Sequence, residues 1–204
     1  MRSKAAAHAG PGAGRRAVGT ATHEVRIIGG QWKRTKLPVP DKPGLRPTPD
    51  RVRETLFNWL GQDLAGWRCV DVFAGTGALG FEAASRGAAE VLVVEQDPEL
   101  VALLRATAAK LGAHAVRVER ANGFSVLARL APGSVDLVLL DPPFDAALHG
   151  KALAAAAPAL AAQGLMYLEA PVAWDDAKLS AYGLTLLRHL RAGAVHAHLL
   201  RRTA

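Results

Sequence analysis

A ten-residue stretch, Asp71-Val-Phe-Ala-Gly-Thr-Gly-Ala-Leu-Gly80, joins two short apolar runs, 69–73 and 91–94. Each run has the length and bounded apolar character of a buried strand, and the glycine segment opens a helix that runs to about residue 86. Strand, glycine turn, helix and strand in that order form the nucleoside-binding half of a doubly wound parallel sheet. Glycines at the helix N-terminus let a ligand approach the backbone, which marks Phe73, Ala74, Gly75 and Gly77 as cofactor-binding. Glu95, with Gln96 after it, ends the second run about 20 residues beyond the glycines, where an acid can bind ribose hydroxyls. Such a loop also fits a nicotinamide site. Two details favour S-adenosylmethionine. Asp71 precedes Gly75 by four residues, placed to accept from an amino group, and a carboxylate there would repel a pyrophosphate.

The second detail is Asp141-Pro-Pro-Phe144, directly after the apolar run 135–140. That run reads as a buried strand whose carboxyl end delivers Asp141 to an open crevice. Proline cannot donate to a sheet ladder and biases the residue before it to extended geometry, so Asp141 and the Pro142 carbonyl are expected to point outward as fixed acceptors. Two acceptors beside the aromatic face of Phe144 suit a planar exocyclic amine. Hydrogen bonds from both amine protons help localise the nitrogen lone pair for attack on an electrophile. Asp141, Pro142 and Phe144 are therefore the candidate catalytic residues.

The lone cysteine, Cys69, excludes intramolecular disulfides and thiolate zinc sites, points to a reducing cytoplasm, and reads as core filling. It also leaves no nucleophile near Asp141 for methylation at a pyrimidine carbon through a cysteine adduct. No apolar stretch approaches the roughly 20 residues that cross a bilayer. The net charge of +7 is unevenly placed: residues 1–60 hold 12 of the 25 Lys and Arg but 4 of the 18 Asp and Glu, leaving +8 there and −1 beyond. Such asymmetry suggests a polyanion gripped through its phosphates by one end of the molecule.

Three parts are expected: a disordered basic tail over 1–23, an RNA-binding hairpin and docking helix over 24–60, and a catalytic part over 61–204. The tail has neither the Ser enrichment nor the amphipathic face of a transit peptide. Val25 to Ile28 and Trp32 to Leu37 predict two short strands around Gly29-Gly30, with Arg26, Lys33, Arg34 and Lys36 on or near one face and Trp32 either packed inside or free to stack on a base. Pro38-Val39-Pro40 reads as a stiff connector. Thr48 then reads as a helix N-cap with Pro49 at the first helical position. Val52, Leu56, Trp59 and Leu60 fall on one helical face, expected to dock on the main sheet. Arg46, Arg51 and Arg53 lie at the helix start, where a guanidinium could clamp a methionine carboxylate. Arg46 and Thr48 are assigned to the cofactor, and Arg51 and Arg53 to RNA.

Four segments together, Arg26-Ile-Ile-Gly-Gly-Gln-Trp32, Leu45-Arg-Pro-Thr48 with Asp50-Arg-Val-Arg-Glu-Thr-Leu-Phe-Asn-Trp59, the glycine stretch, and Asp141-Pro-Pro-Phe144, resemble the RsmD family from about Val25 to near the C-terminus. The resemblance implies a Rossmann-like, class I S-adenosylmethionine-dependent methyltransferase acting on the exocyclic N2 amine of one guanine, position 966 in conventional numbering, of 16S ribosomal RNA in the small subunit. It implies that Asn122 contacts the adenine of the cofactor. Gly123 stands where alanine is usual in the family, which predicts a less rigid loop, and Pro49 stands where many relatives have a hydroxyl residue. A DNA adenine or cytosine amino-methyltransferase, a nicotinamide-dependent reductase and a noncatalytic RNA-binding protein are the alternatives.

For the rest of the chain, helices are expected over 100–111, 124–130 and, broken by Pro158, 151–162, and strands over 116–119 and 164–169. A C-terminal antiparallel hairpin over 185–191 and 194–200 would complete an α/β architecture with a mostly parallel seven-strand sheet. His196 and His198 share a strand face with no third ligand in view, so a solvated edge and no metal are expected. The chain is expected to act as a monomer without a membrane partner.

Overall fold

The computed structural model describes residues 23–143 and 146–203. The expected tail therefore lies outside the described residues apart from His23, and so does Phe144. In chain order the elements are β1 (His23–Arg26), β2 (Lys36–Val39), α1 (Asp50–Trp59), β3 (Arg68–Asp71), α2 (Ala78–Ser85), β4 (Glu90–Glu95), α3 (Pro98–Leu111) and β5 (Val116–Arg120). They continue with α4 (Gly123–Leu127), β6 (Val135–Leu140), α5 (Ala146–Ala156), β7 (Leu160–Ala170), α6 (Asp176–Leu179), β8 (Leu184–Ala192) and β9 (Val195–Arg202). Seven strands form one sheet in the order β5-β4-β3-β6-β7-β9-β8. The first five are parallel, and the C-terminal hairpin adds two antiparallel strands at one edge.

Both faces of this sheet are covered, which is why β6 is apolar without interruption. Leu137 and Leu139 face the core shared with α1, α2 and the N-terminal hairpin, while Val138 and Leu140 face the core shared with α4 and α5. The Val52, Leu56 and Leu60 face of α1 docks as its spacing predicts, with Phe57 beside it. Val25, Ile27, Leu37 and Val39 of the hairpin join the same core as Phe57 and Leu139. Among the described residues no helix is long and apolar enough to cross a membrane.

Four local expectations are corrected. Pro38 and Val39 belong to β2 rather than to a connector, with Pro38 opposite Glu24. The helix read over 151–162 ends at Ala156; one turn of 3-10 helix around Pro158 follows, and β7 begins at Leu160, four residues before Gly164. Thr48 does not cap α1: Pro49 holds that position without a side-chain hydrogen bond. The hairpin's strands end at Arg26 and resume at Lys36; Ile27 still bonds Arg34 and Thr35 across the hairpin, and the turn beyond it is tied to α2. There the Ile28 and Gly29 N–H groups donate to the Glu82 carboxylate at 2.8 and 2.7 Å, and the Trp32 N–H donates to Ser85 Oγ at 3.0 Å.

Candidate functional site

The strand order reverses direction between β3 and β6, and the carboxyl ends of parallel strands on either side of such a point leave a crevice. A cleft of about 960 Å³ lies there, lined in part by the segment 42–49 and by Ala194 and Val195 at the tip of the β8–β9 hairpin. Its size is near the top of the roughly 300–1,000 Å³ range of small-molecule sites. Polar groups are set along it one strand at a time: Asn122 after β5, Glu95 at the end of β4, Asp71 at the end of β3, Asp141 after β6 and Glu169 on β7.

The glycine turn depends on two left-handed glycines, Gly75 and Gly77. Gly77 caps α2 with φ 76°, a left-handed conformation that side chains rarely adopt, and a Cβ there would stand 2.5 Å from Leu104. The Gly75 N–H donates to Glu95 Oε2 at 2.9 Å, while Glu95 Oε1 accepts from the N–H groups of Gln96 and Asp97. Oε1 thus has both its lone pairs engaged, while Oε2 keeps one for a hydroxyl. Asp71 is 2% exposed, accepts from the Gly80 N–H at 2.9 Å and has no cation paired to it among the described residues. Burial, with the charges of Glu95 and Glu169 adding to it, pushes its carboxyl up to about 7. A buried, unpaired acid on the floor of a cleft suits the ammonium of an amino-acid moiety. The residues thus fit a methionine-bearing nucleoside: acid for ribose at β4, turn at β3, acid for the amino group beneath it.

Asn122 lines the cleft and also serves the fold. Its Oδ1 caps α4 by accepting from the Phe124 and Ser125 N–H groups at 3.0 and 3.4 Å, so only its amide N–H₂ faces a ligand as a free donor. Gly123 is not a loosening residue either. A Cβ there would come within 2.8 Å of Phe73 and Val72, so the glycine lets α4 pack against the turn. Phe73 in turn meets Phe124 edge to face, with ring centres 5.5 Å apart. Arg46, Thr48, Phe73, Ala74, Gln96, Asn122 and Gly123 all line the cleft, together with Asp141 and Pro142. Gly77 is buried and is not among the residues that line it.

The sequence reading overlooked Glu169. It is 3% exposed, and its Oε1 accepts from the Thr48 hydroxyl at 2.5 Å and from the Tyr167 hydroxyl at 2.9 Å. Leu140 pairs with Leu168 in register, so Asp141 and Glu169 follow side by side on adjacent strands. Burial, then the charges of Glu169 and Asp71, raise the Asp141 carboxyl well above the usual carboxylate range. Burial raises Glu169 as well, against the Thr48 and Tyr167 hydroxyls and the charge of Arg53, which all favour its ionised form. The two hydroxyls and Arg53 thus favour the charged form of Glu169, while Asp141 gains such support only from a ligand that brings donors. A single acid inside a strand carries little signal in sequence; its separation of 28 residues from Asp141 conceals the pairing that strand register creates.

The expected RNA contacts divide. Arg53 is fully buried: it bonds Asp50 Oδ1 at 2.6 Å and Glu82 Oε2 at 3.3 Å and donates to the Thr48 carbonyl at 3.1 Å. It is a structural cation and leaves the set of RNA contacts. Arg26 pairs with Asp50, and Lys36 with Glu24, both remaining exposed. Arg51, Lys33 and Arg34 are exposed and have no acidic partner among the described residues. The turn that bears Trp32, Lys33 and Arg34 is anchored at Ser85, the far end of α2 from the cleft, about 12 Å along the helix axis. Trp32 is half-buried and packs on the core.

The imidazoles also need a correction. His189 joins His196 and His198, with one ring nitrogen of each within 4.8 Å of the others. His198 is fully buried, not solvated: its Nε2 accepts from the Trp174 N–H at 3.0 Å and its Nδ1 bonds the Leu168 carbonyl at 3.2 Å. With both its nitrogens engaged and the rings stacked nearly parallel, the three lone pairs do not converge on one point.

A family model described as Conserved hypothetical protein 95 matches residues 25–201. Ribosomal RNA small subunit methyltransferase D of Escherichia coli (strain K12) is 51% identical over 121 residues, 59% of this chain and 61% of that protein. The protein of the same name from Haemophilus influenzae is 45% identical over 127 residues, 61% of this chain and 66% of its own length. The matched region thus spans under two thirds of these curated relatives. Among solved structures, Escherichia coli yhhF superposes with a TM-score of 0.77 at 39% identity, covering 89% of this chain and 99% of that one. A Haemophilus influenzae structure gives 0.71 at 31%, covering 89% and 100%.

Proposed function

The chain belongs to the Conserved hypothetical protein 95 family, the RsmD family of the sequence resemblance, and on that ground we propose that it methylates the exocyclic N2 amine of one guanine in small-subunit ribosomal RNA, with S-adenosylmethionine as donor. The observation that carries this reading is the placing of Asp141 and Pro142 in the same cleft as Glu95, Asp71 and the glycine turn. The names of the curated relatives support ribosomal RNA as the substrate over DNA. The buried carboxyl of Asp71, with no cation paired to it among the described residues, argues against a pyrophosphate cofactor.

Glu95 would hold the ribose hydroxyls, the Asn122 amide the adenine, and Asp71 the amino group. The bound donor supplies an electrophilic methyl on a positively charged sulfur. Asp141 and the Pro142 carbonyl accept the two amine protons, fixing the nitrogen in line with the methyl. Those donors also draw Asp141 back toward its ionised form. As the N–C bond forms and the C–S bond breaks, the amine turns acidic, and its proton passes to the Asp141 carboxylate. Much of the rate then comes from positioning, and no strong base is required. Phe144 would stack on the flipped or unpaired base.

Asp141→Ala is expected to lower methyl transfer by roughly 10²–10⁴-fold while leaving cofactor affinity within about threefold, measured by rate assay and by calorimetric titration. Equal loss of both would show Asp141 to be a structural acid.

A further inference from the structure

Resting on the reading that a guanine amine receives the methyl group, we propose that Glu169 accepts the N1–H of that guanine and thereby selects it over adenine and cytosine. Guanine presents two donors next to each other on its Watson–Crick edge, the N2 amine and N1–H. Adenine and cytosine instead place a ring-nitrogen lone pair beside their amine. An ionised carboxylate only accepts, so it pairs with the first pattern and repels the second.

Three features put Glu169 in that role. Strand order sets it beyond Asp141 on the side away from Asp71, Glu95 and Asn122, which is the side left for the acceptor base once the donor occupies the other half of the cleft. Register sets it one strand spacing, about 4.8 Å, from the residue that holds the amine. Its Oε1 is held by Thr48 and Tyr167, while Oε2 accepts no hydrogen bond among the described residues although the side chain lines the cleft. The chain holds Thr48 in turn through Arg53, whose Nε donates to the Thr48 carbonyl. The buried arginine of the N-terminal part thus acts on the base-reading acid through one intervening residue.

The test uses reconstituted small subunits carrying either guanine or 2-aminopurine at the target position. 2-Aminopurine keeps the amine and replaces N1–H with a lone pair. The wild-type protein should favour guanine by at least about 100-fold in kcat/KM, the order expected when a buried acceptor loses its donor. Glu169→Gln, whose amide can donate to that lone pair, should shrink the preference at least tenfold with cofactor affinity unchanged. Equal methylation of both bases by the wild-type protein overturns the proposal whether or not the variant folds. A variant that slows on both bases with the ratio intact also overturns it, leaving Glu169 a structural acid. Absence of transfer to guanine by the wild-type protein overturns the functional reading itself, and this inference with it.

Discussion

Arg53 shows how far a residue's surroundings decide its meaning. In sequence it stands beside Arg51 near a basic patch, but it folds inward to meet Asp50 and Glu82. Removing one partner of a buried charge network leaves the others unpaired, so Arg53→Ala is expected to cost about 3–5 kcal/mol in denaturant unfolding, whereas Arg51→Ala should cost under about 0.5. Equal and small effects would return Arg53 to the surface. Asp71 carries a pH signature with a definite sign. Its folded-state value, about 7, lies above its ordinary 3.8, so the stability linked to its protonated form is full below pH 4 and lost as pH rises through 7. Asp71→Asn should therefore flatten the fall in unfolding free energy between pH 4 and pH 7, which for this one group is about 1.4 kcal/mol per pH unit at most. An unchanged slope would mean the acid is ionised in the fold. The acid at 71, the acid at 95 and the Asp-Pro-Pro turn were legible because each ends an apolar run. Glu169 and the inward turn of Arg53 were not, because register and tertiary ion pairs create them.

At the level of elements, the parallel strands were readable since burial on both faces makes them continuous apolar runs bounded by turn residues. The Ala-rich stretch misled for a physical reason. Alanine favours helix and says nothing of where the helix stops; Pro158 lacks the N–H that would carry it on, and Leu160 then enters the sheet. The N-terminal hairpin was recognised, but its docking was not, since its partners Glu82 and Ser85 lie more than 50 residues away. Gly30 sits at φ 71° with Ser85's carbonyl oxygen 1.8 Å from where a Cβ would be. Gly30→Ala should lever the turn off α2, so that hydrogen exchange quickens over residues 23–39 while β3, β4 and β6 stay protected. Uniform quickening would show instead that the hairpin and the sheet unfold as one unit.

For the whole molecule, the sheet edge works as a ruler. Glu95, Asp71, Asp141 and Glu169 fall to successive strands at about 4.8 Å each, and the segment 42–49 lines the same cleft. The basic turn at Lys33 and Arg34 lies at the other end of α2, so a polyanion touching it and the cleft together would have to run along the hairpin's flank. The most direct measurement incubates the purified protein with methyl-labelled S-adenosylmethionine and unmodified small ribosomal subunits, then locates the label by nuclease digestion and mass spectrometry. One guanine labelled on its exocyclic N2 is the expected result. Label on a ring nitrogen, a ribose hydroxyl or an adenine amine, or no label at all, would contradict it.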